Sequence, residues 1–326
     1  MAKQSYQFLP RFKGWHFIPE GTNVPFMTYR RVCFWTSIAM MLAAMTAFLV
    51  LGLNYGVDFK GGTMIELRAK SGNADIPDLR TRVGGLGLGD VQIQEFGDPR
   101  DVLIRVEQQA GGETSQQEAL RKIQEVVSAD YDQRRVEVVG PAVSGELRLT
   151  GLIAVLAAIV AIILYIWLRF EWQFAIGAVL ALTHDVLITM GLFAVLQLEF
   201  DLSIVAALLT ILGYSVNDTV VVADRIRENL RKYKRMVLPD LLNRSINETL
   251  SRTLMTSGTT LIVLMALYLF GGEVIRNFAF AMLFGVVIGT YSSIFIAAPV
   301  LELLGVKRDW SGLDNEAKAS AQPSAS

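Results

Sequence analysis

One cysteine and two histidines in 326 residues remove much chemistry from consideration. Cys33 stands alone at the start of an apolar run, so no disulfide and no thiol-ligated metal site is expected in any external segment. His16 and His184 are too few and too far apart in the chain for a protein-built zinc site. No phosphate-binding loop of the form G-x-x-x-x-G-K-S/T occurs, and the glycine clusters at 83–89 and 60–62 lack the strand–loop–helix setting of a nucleotide site. The reading therefore includes no cofactor, and work done by this chain is not driven by a nucleotide it binds itself. Charge is also scarce. Charged residues make up 19% of the chain against 52% hydrophobic, and the mean hydropathy is +0.40, which excludes an ordinary soluble protein.

What is present is a set of uncharged stretches long enough to cross a bilayer, about 20 residues each. Four run without interruption, between Arg31 and Asp58, Arg148 and Arg169, Arg252 and Glu273, and Arg276 and Glu302. Two more, between Glu171 and Glu199 and between Asp201 and Asp224, are interrupted by His184–Asp185 and by Asp218. If the N-terminus is cytoplasmic, the inner side receives Arg30, Arg31, Arg169, the basic run from Arg225 to Arg235, Arg244, Arg252, Lys307 and Arg308, whereas the short outer loops receive only Arg276. That bias predicts six spans with both termini inside. The first span, 32–53, reads as an uncleaved anchor behind a polar leader, 1–31.

Residues 54–147 then lie outside the cytoplasm. Alternation predicts strands at 63–70, 91–97, 102–108 and 135–141, with helices at 76–83 and 114–130. The order β-α-β-β-α-β is that of a ferredoxin-like α+β domain, a fold that does not by itself imply chemistry. Residues 148–304 supply the other five spans, with a basic cytoplasmic loop at 225–252, and the Ala/Ser/Pro-rich tail, 305–326, reads as disordered.

The intramembrane polar groups carry the functional signal, because an ionisable side chain at membrane depth is costly and by default faces a bundle interior or a wet cavity. Asp218 has Ser215, Asn217 and Thr219 as near neighbours in sequence and lies about 25 Å along its helix from Asp201. A cation that approaches and withdraws would make it a proton switch, and Arg252, which opens the fifth span, is the candidate. Thr256, Ser257, Thr259 and Thr260 follow it, suited to close packing or to a wetted path. His184 and Asp185 point about 100° apart, so the two share a role only if their interface is wide; Asp185 is a relay member or a structural group, and His184 a packing residue. Gly285 and Gly289 form a small-xxx-small face in the sixth span. In the basic loop, Leu241, Leu242, Ile246 and Leu250 predict an amphipathic helix in the membrane interface, beside a charge run suited to anionic lipids.

"GVDFKGG" (56–62) directly after a first span, an external α/β segment, five further spans and "GYSVNDTVVVADRIREN" (213–229) together resemble the smaller member of the SecD/SecF family, protein-export membrane subunits of the resistance-nodulation-division superfamily. The resemblance implies an inner-membrane accessory subunit of the Sec translocase, not an enzyme, that uses the proton-motive force to promote preprotein translocation and release on the periplasmic side. It implies protons as coupling ion, and as partners a SecD-like sister subunit, the SecYEG channel, YajC, YidC and unfolded preproteins, with no nucleic acid. By the same resemblance Asp218 and Arg252 form the proton relay and Asp185 lies at a family motif; Asn217, Thr219, Thr256 and Ser257 read from the sequence as supporting polar residues, and Asp58, Lys60, Gly61 and Gly62 as the motif that joins the first span to the external domain, a turn compatible with a hinge. The alternatives are a non-conducting scaffold that tethers the sister subunit, and an intramembrane aspartyl protease built on Asp185 and Asp218, for which the glycine-spaced aspartate motif is missing.

Overall fold

The first span, α1 (Arg30–Leu51), is a 22-residue helix, uncharged after Arg30 and Arg31, that ends where Gly52 takes a positive φ of 67°. This computed structural model describes residues 22–306; the leader before residue 22, with His16, and the tail after residue 306 lie outside the described residues. Six helices are long and apolar enough to cross a membrane. After α1 they are α5 (Pro141–Arg169), α6 (Trp172–Leu196), α7 (Leu202–Lys232), α8 (Leu238–Phe270), and a sixth span formed by α9 (Glu273–Ser292), a π-helical segment (Ser293–Ala297) and α10 (Ala298–Leu303).

An α/β domain separates α1 from α5. Its elements are β1 (Asn54–Tyr55), α2 (Val57–Lys60), β2 (Gly62–Ala69), α3 (Ile76–Gly84), β3 (Val91–Phe96), β4 (Asp98–Val106), α4 (Glu113–Val127) and β5 (Tyr131–Val139). Four strands form one antiparallel sheet in the order β3-β4-β2-β5. Strand β2 alternates buried and half-buried positions, and its Ile65 and Leu67 meet Leu79 and Val83 of α3 and Ile123 and Val127 of α4 in one core. The chain leaves β5 for α5 earlier than the apolar pattern suggests. Pro141 has no N–H for a strand ladder and a φ already set for a first helical turn, so the helix starts there, seven residues before position 148.

A second, two-stranded sheet is invisible to periodicity: β1 pairs in parallel with β6 (Glu199–Phe200), which joins α6 to α7. It fastens the base of the α/β domain to the third and fourth spans.

Among the spans, α6, α7 and the sixth are half or more buried along their apolar windows, whereas α1, α5 and α8 are 11–17% buried and ring them. Glycines allow the close approaches. A Cβ on Gly191 of α6 would sit 2.5 Å from Cα of Ala44 in α1, and one on Gly285 would sit 2.3 Å from the Ile211 side chain of α7. The 285–289 face therefore packs within the chain. Most of the basic segment is helical, because α7 runs to Lys232 and α8 opens at Leu238. Leu241, Leu242 and Ile246 are not a separate interfacial helix but the first turns of α8, buried against Val222, Ile226 and Leu230 of α7.

Candidate functional site

Asp218 is 6% exposed in the middle of α7. Both of its oxygens are engaged by neutral hydroxyls: Thr253 Oγ1 of α8 donates to Oδ1 at 2.6 Å, and Ser293 Oγ of the sixth span donates to Oδ2 at 2.6 Å. Arg252 turns the other way. It is exposed, and among the described residues no basic side chain lies within the 4.0 Å of an ion pair to Asp218. One position along a helix is a 100° rotation, so on the peripheral α8, with Thr253 facing the bundle, its neighbour is carried out of it.

Asp185 is fully buried. Its Oδ2 accepts from Ser215 Oγ of α7 at 2.6 Å and from Ser292 Oγ of the sixth span at 2.8 Å. Its Oδ1 lies 3.0 Å from Nδ1 of His184, also fully buried. The 100° separation of these two residues is absorbed because α6 is enclosed by α1 on one side and by α7 and the sixth span on another, the wide interface that a shared role requires. The His184 ring stacks on Tyr291 at a centroid distance of 5.9 Å, and Tyr291 Oη donates to the Cys33 carbonyl at 3.0 Å.

The supporting residues divide. Ser257 is buried and shares a 2.8 Å hydrogen bond with Thr290 Oγ1. Thr219 is buried with no hydrogen-bond partner for its hydroxyl among the described residues. Thr256 is exposed and donates back to the Arg252 carbonyl at 3.1 Å, and Asn217 is exposed on α7. Ser215, three positions before Asp218 in the motif, serves Asp185 instead. Thr253, Ser292 and Ser293 are the donors to the two aspartates that sequence reasoning missed. The signal was there in kind: a Tyr-Ser-Ser run inside an apolar span is as anomalous as the threonines of α8.

The DFKGG segment lies at the seam between the α/β domain and the spans. Asp58 Oδ2 accepts from the Leu202 N–H, the first residue of α7, at 3.0 Å, alongside the cap from Asp201 Oδ1 to Ile204 N–H at 3.1 Å. Gly61 and Gly62 have φ of 74° and 121°, and a Cβ on Gly62 would sit 2.4 Å from the Val106 carbonyl oxygen, so glycine is required. Lys60 is exposed. Beside this turn, Arg105 of β4 pairs with Glu199 of β6. Burial holds the Glu199 carboxyl above the usual carboxylate range against the opposing pull of Arg105, and Asp201, Asp58 and Glu137 add to the rise.

Comparison with known proteins matches two family models, the C-terminal region of the protein-export membrane proteins SecD/SecF over residues 119–307 and the SecD/SecF GG motif over residues 46–72. The chain is 50% identical to a protein translocase subunit SecF of Cereibacter sphaeroides over 93% of this chain and 96% of the relative. It is 44% identical to a protein translocase subunit SecDF of Brucella abortus over 89% of this chain but 38% of that longer protein. Among solved structures, SecDF from Thermus thermophilus superposes with a TM-score of 0.79 at 36% identity, covering 87% of this chain and 39% of that one. With its two motifs, six spans and near full-length matches to SecF proteins, the chain belongs to the SecD/SecF family of protein-export membrane proteins as a SecF-type accessory subunit of the Sec translocase.

Proposed function

We propose that this subunit couples the proton-motive force to preprotein translocation through Asp218, with Asp185 and Arg252 completing the relay. The observation that carries the reading is a buried carboxylate in a span that, among the described residues, is held by hydroxyls alone. An ion pair would oppose protonation, whereas hydroxyls can donate to the charged form or accept from the neutral one. One charge crossing the membrane yields about 2.3 kcal/mol per 100 mV, enough to bias a conformational equilibrium of a few kcal/mol. Arg252 acts by approaching Asp218 in another state of the cycle, with Asn217, Thr219, Thr256 and Ser257 as the polar surroundings. Asp58, Lys60, Gly61 and Gly62 carry movement of the outer end of α7 to the α/β domain. Asp218→Asn in the full chain with its partners is expected to abolish proton-dependent export and proton conductance; if both survive, the coupling reading is wrong.

The exposed Asn217, Arg252 and Thr256 give α7 and α8 a polar face that lipid does not suit. We assign that face to the SecD-like sister subunit, with the SecYEG channel, YajC, YidC and unfolded preproteins as the wider partners. We place both termini in the cytoplasm and the α/β domain in the periplasm, supported by the bias of basic residues. We read that domain as ferredoxin-like, supported by its β-α-β-β-α-β order and by the antiparallel sheet order, in which the first and third strands are central. Anionic lipids face the basic segment, where Arg225, Arg244 and Arg169 are partly neutralised by Glu228, Glu248 and Asp224.

The scaffold reading is favoured by the same two short bonds, since a fully satisfied Asp218 can serve as glue between α7, α8 and the sixth span. It predicts that Asp218→Asn weakens co-purification of the sister subunit, whereas the coupling reading predicts normal assembly with lost transport.

A further inference from the structure

We infer that Ser292 and Ser293 form a protonation-sensing turn that links the two buried aspartates to the helical register of the sixth span. The inference rests on the reading of Asp218 as a proton-binding group. The two serines are adjacent, yet they serve different acids: Ser292 donates to Asp185 and Ser293 to Asp218.

Each hydroxyl also has a second acceptor within reach on its own helix. Ser292 Oγ lies 2.8 Å from Asp185 Oδ2 and 3.1 Å from the Gly289 carbonyl, and Ser293 Oγ lies 2.6 Å from Asp218 Oδ2 and 3.0 Å from the Thr290 carbonyl. A serine has one hydrogen to donate. An ionised carboxylate forms the stronger, charge-assisted bond and takes it. Once the carboxyl is protonated it becomes a donor itself, and the serine hydrogen turns back to the i−3 carbonyl.

That carbonyl sits at a critical place. Ser292 closes α9 and Ser293 opens the π-helical segment, where backbone bonding passes from the i−4 to the i−5 pattern. Serine back-bonding competes with the backbone for such a carbonyl and bends helices. A proton on Asp218 therefore adds a competitor at Thr290, one turn before the register change, and loosens the segment that follows. Loosening propagates to α6, because the Ala297 carbonyl lies 2.9 Å from where a Cβ on Gly177 would stand, and α6 carries Asp185. The titratable and charged groups around the turn are His184 and Asp185 on α6, Asp218 on α7, Arg252 on α8, Tyr291 on α9 and Cys33 on α1.

The test is amide hydrogen exchange of the peptide spanning 290–300, measured on the full chain co-purified with its membrane partners. Asp218→Asn, which is permanently uncharged, is expected to speed exchange there about tenfold relative to the native chain. Ser293→Ala is expected to remove the difference between native and Asp218→Asn backgrounds, while Ser293→Thr, which keeps the hydroxyl, retains it. Should Asp218→Asn prove too unstable to purify, protection in the native chain at acidic and alkaline pH, each rate divided by the intrinsic rate at that pH, gives the same contrast, and Ser293→Ala must flatten it. Exchange that ignores the state of Asp218, or that responds equally without the Ser293 hydroxyl, overturns the inference. Loss of export in Asp218→Asn with no change in exchange would reject the turn and leave the proton-coupling reading standing; normal export with a clear exchange response would do the reverse.

Discussion

Arg105 and Glu199 add a largely buried ion pair to the sheet that seats the α/β domain on the spans, and replacing either tests its weight. Their side chains are only 14% and 20% exposed. Removing one partner of a fully buried pair costs about 3–5 kcal/mol, and the remaining solvent access lowers that to about 2 kcal/mol. The two single changes should differ. Where the pH keeps Glu199 ionised, Arg105→Ala leaves its charge unpaired beside Asp58, Asp201 and Glu137, whereas Glu199→Gln replaces a charge that burial already disfavours, so there the arginine variant loses more. The sign with pH follows from linkage. Because the seated state holds the Glu199 proton more tightly than a freely solvated carboxyl, seating is strongest below the ordinary carboxylate range and weakens as pH rises through the raised value. Arg105→Ala moves that window higher, and Glu199→Gln abolishes it. Spin-label distances between α4 and the outer end of α8, taken over a pH series for the native chain, both single variants and the double variant, give the coupling energy. A coupling below about 0.5 kcal/mol, or seating that strengthens with rising pH, refutes the reasoning.

Three further outcomes are expected. Gly191→Ala forces α1 and α6 apart, because the new Cβ would lie 2.3 Å from the Ala44 Cβ where carbon atoms need about 3.5–4 Å; a cost of about 1–3 kcal/mol should appear as a lower midpoint of thermal unfolding in detergent. Gly62→Ala strains a φ of 121° and meets the Val106 carbonyl, so the start of β2 should detach and amide exchange at 62–64 should accelerate. Thr253→Val removes one of two donors to Asp218 at nearly constant shape and should impair proton conductance while leaving the sister subunit bound, with Thr253→Ser restoring conductance.

Much of this architecture is legible because hydropathy and period-2 alternation are local properties. The six spans, the strand and helix order of the α/β domain and the burial of Asp218 and Asp185 inside the bundle all follow from them. Partners are another matter. Arg252 and Thr253 are neighbours in sequence, and charge singles out the arginine, yet the helical rotation gives the aspartate to the threonine. His184 and Asp185 were set apart by the same rotation and are reunited because α6 is buried on more than one side. The serines are legible as polar anomalies in an apolar span, but nothing local tells a hydroxyl that donates to a remote carboxylate from one that bonds back to its own helix, and here they have both options.

The small sheet between β1 and β6 sets an order of events in biogenesis. Residues 54 and 55 find their partners at 199 and 200, and Asp58 finds its own at 202. The four-stranded sheet can form as soon as residue 139 has been made, but its anchoring strand waits until two more spans have followed. Closing so long a loop costs only a slowly growing entropy and so delays the step more than it weakens it. During synthesis the α/β domain is thus a tethered body without a seat, free to fold by itself, and it is committed to the membrane only when the segment bearing Asp218 begins to enter.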